Sequence, residues 1–264
     1  MSKKPVSFFY LGPPKTASIW LFECLKNHPE ISATDHSETN FFDMHFHKGV
    51  RWYDDLFLKK DGLRIDCTPT YINSLQALER ILDYNPDAKF AYGLRNPVDR
   101  AFSGYWHVRR TGQINYTFSE ILDTYVWFRA WVEPGLISPQ IRWLEKMIGK
   151  DRLLPILFED VKNRPEDLLK EVYRFMGVDE NYVTAQARKP VNVARPKTHL
   201  LSRLSHHIVG EAGARHLRHL SGKREYVEGI PADFREKLNA LCAPEIEELS
   251  KITGRDLNFW LDKK

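Results

Sequence analysis

Apolar positions alternate along the chain between two spacings. Short continuous runs bounded by Gly, Pro or charged residues read as buried strands: Val6–Leu11 (VSFFYL), residues 63–67 (LRIDC), Lys89–Leu94 (KFAYGL) and residues 153–158 (LLPILF). Between them apolar residues recur every three or four positions, the helical period. Residues 18–27 carry Ile19, Leu21, Phe22 and Leu25 and stop before Pro29. Leu75–Tyr84 carries Leu75, Leu78, Ile81 and Leu82 on one predicted face. Asn96-Pro97 opens a helix over residues 98–110, with proline at the favoured first position. Ser138-Pro139 starts Ser138–Ile148, Gly177 ends Pro165–Met176, and Gly254 stops a last helix over Ala232–Thr253. No repeat, low-complexity tract or Gly/Ser linker breaks the series, so a single domain over residues 1–264 is expected.

Strands alternating with helices predict an α/β fold, a mainly parallel central sheet flanked by helices with a helical C-terminal portion. Ligands of such sheets sit outside the carboxyl ends of the strands. That singles out residues 12–18 and 95–103, which follow the first and third strands.

Composition narrows the classes. With 42% apolar and 28% charged residues, 15 Phe, 7 Trp and 11 Tyr in 264 positions, wholesale disorder is excluded. No run approaches the ~20 apolar residues of a membrane span. The apolar stretch after the N-terminal lysines is too short for a signal-peptide core. Cys24, Cys67 and Cys242 suit neither a disulfide framework nor a zinc cluster, and a cytoplasmic protein is the expectation. Net charge is only +4, but nine basic residues fall between Arg188 and Arg224 against the single acid Glu211. A solvated basic surface and a face turned to an anionic ligand both account for that stretch.

Gly12-Pro13-Pro14-Lys15-Thr16-Ala17-Ser18 joins a strand to a helix. It offers one lysine, two hydroxyls and the free N–H groups of a helix start, which is the equipment of a P-loop-like phosphate cradle. No G-x-x-x-x-G-K-[ST] pattern can be drawn through it, so it is not a Walker A loop. By itself, a capped helix with a solvent-facing lysine explains the same residues.

Arg95 closes a strand, and Ser103 follows eight residues on, inside the next helix (RNPVDRAFS). With the first loop, this resembles the signature of the sulfotransferases that use 3′-phosphoadenosine 5′-phosphosulfate (PAPS). Further segments match in order: Ser37-Glu38-Thr39-Asn40-Phe41-Phe42-Asp43, Lys48-Gly49-Val50-Arg51-Trp52-Tyr53, DCTPTY from Asp66 to Tyr71, Glu133-Pro134-Gly135 and Gln140-Ile141-Arg142-Trp143-Leu144. Leu157-Phe158-Glu159-Asp160 and Phe175-Met176-Gly177-Val178 continue the series, and Asn258-Phe259-Trp260-Leu261 extends it loosely. The likeness covers about residues 6–180 and is closest to the heparan-sulfate-type, carbohydrate-modifying branch and its bacterial relatives.

The resemblance implies transfer of a sulfuryl group from PAPS to a hydroxyl or amine, on a carbohydrate or a small metabolite, with adenosine 3′,5′-bisphosphate (PAP) as product and no metal. It implies a catalytic set of Lys15, Glu38 and His107. Lys15 would offset charge on the departing phosphate, Glu38 would take the acceptor proton, and His107 would lie near the acceptor. The 5′-phosphate would rest on Lys15, Thr16, Ala17 and Ser18, and the 3′-phosphate on Arg95 and Ser103. The family's third nucleotide loop has its nearest counterpart in Arg195-Pro196-Lys197-Thr198, which adds Arg195 and Lys197. Two positions depart from the pattern. Ala17 stands where glycine is usual, and a helical conformation is expected there. Cys67 stands where the branch often carries lysine. Trp52, Tyr53 and Tyr71 either line the acceptor cleft or pack in the core. Arg100 either makes an ion pair or touches the nucleotide. His36, His45 and His47 crowd Glu38 and Asp43 without a common zinc spacing. The rival classes are a P-loop-type kinase, which lacks its Walker context here, and a non-catalytic binder of nucleotides or anionic polymers. Neither a nucleic-acid partner nor a membrane span is expected.

Overall fold

A computed structural model describes residues 4–58, 61–110, 112–189 and 229–262. Five strands form one parallel sheet: β1 (Val6–Leu11), β2 (Ile31–Ser32), β3 (Leu63–Asp66), β4 (Lys89–Leu94) and β5 (Leu153–Leu157), in the order β2-β3-β1-β4-β5. The helices are α1 (Ser18–Leu25), α2 (Gly49–Asp54), α3 (Leu75–Tyr84), α4 (Pro97–Arg109) and α5 (Tyr125–Trp131). They continue with α6 (Ser138–Ile148), α7 (Phe158–Asn163), α8 (Pro165–Met176) and α9 (Ala232–Thr253).

Both faces of the sheet are covered, which is why its strands read as unbroken apolar runs. In β1, Val6, Phe9 and Leu11 face a core completed by α3, α4, α6 and α9, while Phe8 and Tyr10 face one built with α1 and α8. The predicted elements form, with shifted ends. The strand expected over 153–158 stops at Leu157, because Phe158 opens α7. The two-residue β2 is too short to leave a period in the sequence. Leu75 was expected on the buried face of α3, but it is the first helical residue and stays exposed. Ala77, Leu78 and Ile81 bury that face instead.

From β1 the chain moves toward β2 and β3 on one side, and from β4 it moves to β5 on the other. The carboxyl ends of β1 and β4 therefore flank the switch point, where open α/β sheets bind ligands. Their register, Leu11 opposite Tyr92, brings the loop after β1 beside Arg95. The C-terminal turn braces this edge: Asn96 caps α4 through its side-chain oxygen and donates its amide to the Trp260 carbonyl at 2.7 Å. Among the described residues, no helix is long and apolar enough to cross a membrane.

Candidate active site

The loop after β1 is held against the sheet by close approach. A Cβ on Gly93 would stand 2.5 Å from the Thr16 hydroxyl oxygen, and one on Gly12 would stand 2.9 Å from the Gly93 nitrogen. Thr16 is fully buried. Its hydroxyl donates to the Pro13 carbonyl at 2.8 Å and accepts from the Tyr10 hydroxyl at 3.0 Å. Tyr10 Oη also donates to the Thr16 carbonyl at 2.6 Å, so the residue fastens the loop through side chain and main chain alike. The Thr16 hydroxyl, expected at the 5′-phosphate, is here engaged within the loop.

Lys15 and Ala17 both occupy the left-handed region, at φ 82° and φ 74°. The helical conformation expected for Ala17 is therefore wrong. The position keeps the backbone geometry that glycine would adopt without strain, and alanine bears a cost of roughly 1–2 kcal/mol. Ala17 is also the N-cap of α1, and no side chain caps the first turn of that helix, which carries no acidic residue. Its N–H groups and the positive end of the helix dipole are left for an anion.

Lys15, Ala17, Ser18, Glu38, Arg95, Ser103 and His107 all line one cleft of about 1210 Å³. That exceeds the ~300–1,000 Å³ of ordinary small-ligand sites and suits two substrates side by side. Arg95 donates to the Lys15 carbonyl at 3.0 Å, and its guanidinium lies 4.3 Å from the centre of the Phe158 ring. Burial pushes the Arg95 pKa down, with Asp99 and Glu159 opposing. The family-derived set therefore converges, save Thr16, which is buried behind the cleft wall, and Arg195 and Lys197, which lie outside the described residues along with most of the basic stretch.

Charge sets the character of the other groups. Burial pushes Lys15 down, Arg110 and Arg95 push it further, and Glu38 opposes them. Glu38 is open to the cleft, yet desolvation by the surrounding protein pushes its carboxyl up. Asp66 and Asp43 add to that rise, and Lys15 counters it. Burial, then Lys15 and Arg110, push His107 down and favour a neutral ring.

Sequence reasoning missed the residue that holds Glu38 in place. Asp66, at the end of β3, is buried and accepts five hydrogen bonds. Thr39 Oγ1 donates at 2.6 Å, Tyr53 Oη at 2.8 Å and Tyr71 Oη at 3.1 Å, all to Oδ2. The Thr68 hydroxyl and N–H donate to Oδ1 at 2.7 and 3.0 Å. Those hydroxyls in turn accept main-chain N–H groups of the loop after Glu38: Thr68 Oγ1 from Thr39 and Asn40, Tyr71 Oη from Phe41. One carboxylate thereby terminates a relay that pins the loop to the sheet. Burial raises the Asp66 pKa, and the hydroxyls of Thr39, Thr68, Tyr53 and Tyr71 oppose the rise. Tyr53 and Tyr71 are fully buried core residues, which decides between the two readings offered for them. The aspartate-threonine turn was the visible signal; its burial was not.

Arg100 is buried too. It lines the cleft and donates to the Trp131 carbonyl, so it meets a main-chain oxygen where an ion pair was one of two expectations. Gly135 is glycine for its sake, since a Cβ there would lie 2.7 Å from Arg100 Nε.

Comparison with known proteins agrees with this geometry. The chain is 30% identical over 202 residues to mouse bifunctional heparan sulfate N-deacetylase/N-sulfotransferase 4, covering 68% of this chain and 23% of that protein. It is 35% identical over 106 residues to mouse heparan sulfate glucosamine 3-O-sulfotransferase 3B1, covering 39% of this chain and 27% of the relative. It thus spans about a quarter of the length of these relatives. The crystal structure of a sulfotransferase from Alicyclobacillus acidocaldarius superposes with a TM-score of 0.74 at 23% identity, over 98% of this chain and 99% of that one, which shows the same fold. The family model of the sulfotransferase domain matches residues 5–247, nearly the whole chain and every convergent residue of the cleft. The chain belongs to the sulfotransferase domain family.

Proposed function

We propose that this chain transfers a sulfuryl group from PAPS to a hydroxyl or amine of an acceptor, with a carbohydrate as the acceptor class. The observation that carries the reading is the pairing, in one cleft, of an uncapped N–H cradle holding Lys15 with a carboxyl, Glu38, whose pKa rises beside it. PAPS, when bound, supplies the sulfuryl group to be transferred. The residues fit its two phosphate ends. The left-handed backbone at Lys15 and Ala17, the first turn of α1 and Ser18 suit the 5′-phosphate. Arg95 and Ser103 suit the 3′-phosphate, a natural task for a guanidinium fork.

Lys15 offsets the negative charge that gathers on the departing phosphate oxygen. Glu38 takes the proton of the acceptor group, and its raised pKa brings its basicity nearer neutral pH. Sulfuryl transfer asks mainly for positioning and charge stabilisation, by analogy with phosphoryl transfer. The heparan sulfate sulfotransferase activities of the two mouse relatives support a sugar acceptor. The three cysteines are free and buried, in keeping with a reducing, cytoplasmic setting.

Two measurements test this. PAP should raise the melting temperature, and ATP with Mg²⁺ should not. Radiolabelled PAPS offered with pooled oligosaccharides should yield a labelled sugar. Stabilisation by ATP with Mg²⁺ alone would move the chain to the kinase class.

A further inference from the structure

His107 stands on the cleft wall one turn of α4 beyond Ser103. Its Nδ1 lies 3.0 Å from Nη2 of Arg110, three residues on. A guanidinium has five N–H donors and no acceptor. The bond therefore forms only when Nδ1 supplies a lone pair, and in a neutral imidazole that leaves the proton on Nε2. A doubly protonated ring would set two donors against each other. Arg110 is well placed to impose this, because its own N–H bonds to the Trp106 carbonyl at 3.1 Å and anchors it at the end of α4.

We propose that Arg110 is a positioning residue that fixes His107 as the Nε2–H tautomer, so that His107 donates a hydrogen bond into the cleft and does not accept a proton there. To act as a base, the ring would have to move its proton to Nδ1 and give up the bond to Arg110, leaving two N–H groups face to face. The electrostatics point the same way. Burial disfavours the imidazolium first, and two cations add to it: Lys15, from the phosphate loop, and Arg110, at the end of the ring's own helix. Glu38 is pushed in the opposite direction, so the two groups divide the work. Glu38 accepts the acceptor's proton, and His107 Nε2–H serves an oxygen that gathers negative charge. The catalytic half of this inference rests on the sulfuryl-transfer reading; the tautomer half does not.

The tautomer can be read directly. In protein labelled with ¹⁵N-histidine at about pH 8, long-range ¹H–¹⁵N spectra report which ring nitrogen carries the proton, and His107→Gln assigns the peaks. Wild type and Arg110→Lys should show Nε2 protonated and Nδ1 bare. Arg110→Glu presents an acceptor to Nδ1, so it should move the proton there and raise the ring's pKa. Identical tautomer populations in wild type and Arg110→Glu, or a wild-type proton on Nδ1, would overturn the proposal. In turnover of PAPS, Arg110→Glu should lower kcat roughly 10²-fold with little change in the KM for PAPS, and Arg110→Lys should recover most of the loss. His107→Gln, which keeps an N–H, should retain more kcat than His107→Leu. Equal kcat in His107→Leu and wild type would overturn the donor role. Failure of wild type itself to consume PAPS, with the tautomer exchange intact, would count against the sulfuryl-transfer reading and not against the Arg110–His107 pair.

Discussion

Arg95, at the end of β4, donates to the main-chain carbonyl of Lys15, and the two residues are 80 positions apart in sequence. In a planar trans peptide the carbonyl and the following N–H point in opposite directions. Holding the Lys15 carbonyl therefore also sets the direction of the Thr16 N–H. A residue proposed to grip one phosphate of the nucleotide thus shapes the loop proposed to grip the other.

Arg95→Ala should weaken PAP binding by about 2–5 kcal/mol, the range for truncating one partner of a buried charge pair. Adenosine 5′-phosphosulfate, which lacks the 3′-phosphate, should lose only about 1 kcal/mol, through the slackened loop. Titration calorimetry on both ligands decides this. Equal losses would remove the 3′-phosphate from Arg95.

Glu38→Gln keeps the shape of the side chain and removes the base. We expect kcat to fall by about 10²–10⁴-fold with PAPS affinity nearly unchanged. A base works only when ionised, so the wild-type rate should rise with pH through the Glu38 pKa. Burial and Asp66 place that acidic limb above the ordinary glutamate value of about 4.3. In the Gln variant the limb should vanish. Turnover near the wild-type rate would remove Glu38 from the chemistry.

Asp66→Asn should act on stability and on Glu38 together. An amide cannot accept all five hydrogen bonds, and each buried donor left unpaired costs about 1–3 kcal/mol. The urea midpoint should fall accordingly. The loss of a negative charge beside Glu38 should also carry the acidic limb of the pH–rate profile to lower pH. Tyr53→Phe removes a single donor and is the milder comparison, with a cost of about 1 kcal/mol. A limb that stays in place in folded Asp66→Asn would disprove the electrostatic coupling.

Ala17→Gly should stabilise the fold. The left-handed conformation at φ 74° costs alanine roughly 1–2 kcal/mol, while glycine adds about 0.5–1 kcal/mol of chain entropy to the unfolded state. The net gain is up to about 1.5 kcal/mol, readable as a raised urea midpoint with an unchanged slope. A lower midpoint would mean that the alanine methyl makes contacts worth more than the strain.

The element types were legible in the sequence because strand and helix periods, prolines at helix starts and glycines at helix ends are local signals. VSFFYL announces a strand buried on both faces, and Asn96-Pro97 announces α4 down to its cap. The resemblance of co-ordered motifs then pointed to Lys15, Glu38, Arg95, Ser103 and His107, and these do share a cleft. What the chain could not disclose in one dimension depends on closure. Ala17 reads as the start of a helix until Gly12 and Gly93 draw the loop onto the sheet. Thr16 reads as an open loop hydroxyl until Tyr10 and Pro13 engage it. Asp66 reads as a turn aspartate until donors from positions 39, 53, 68 and 71 surround it. Hydrogen bonds and desolvation act through space, so the state of a buried carboxylate is set by neighbours that sequence order keeps apart.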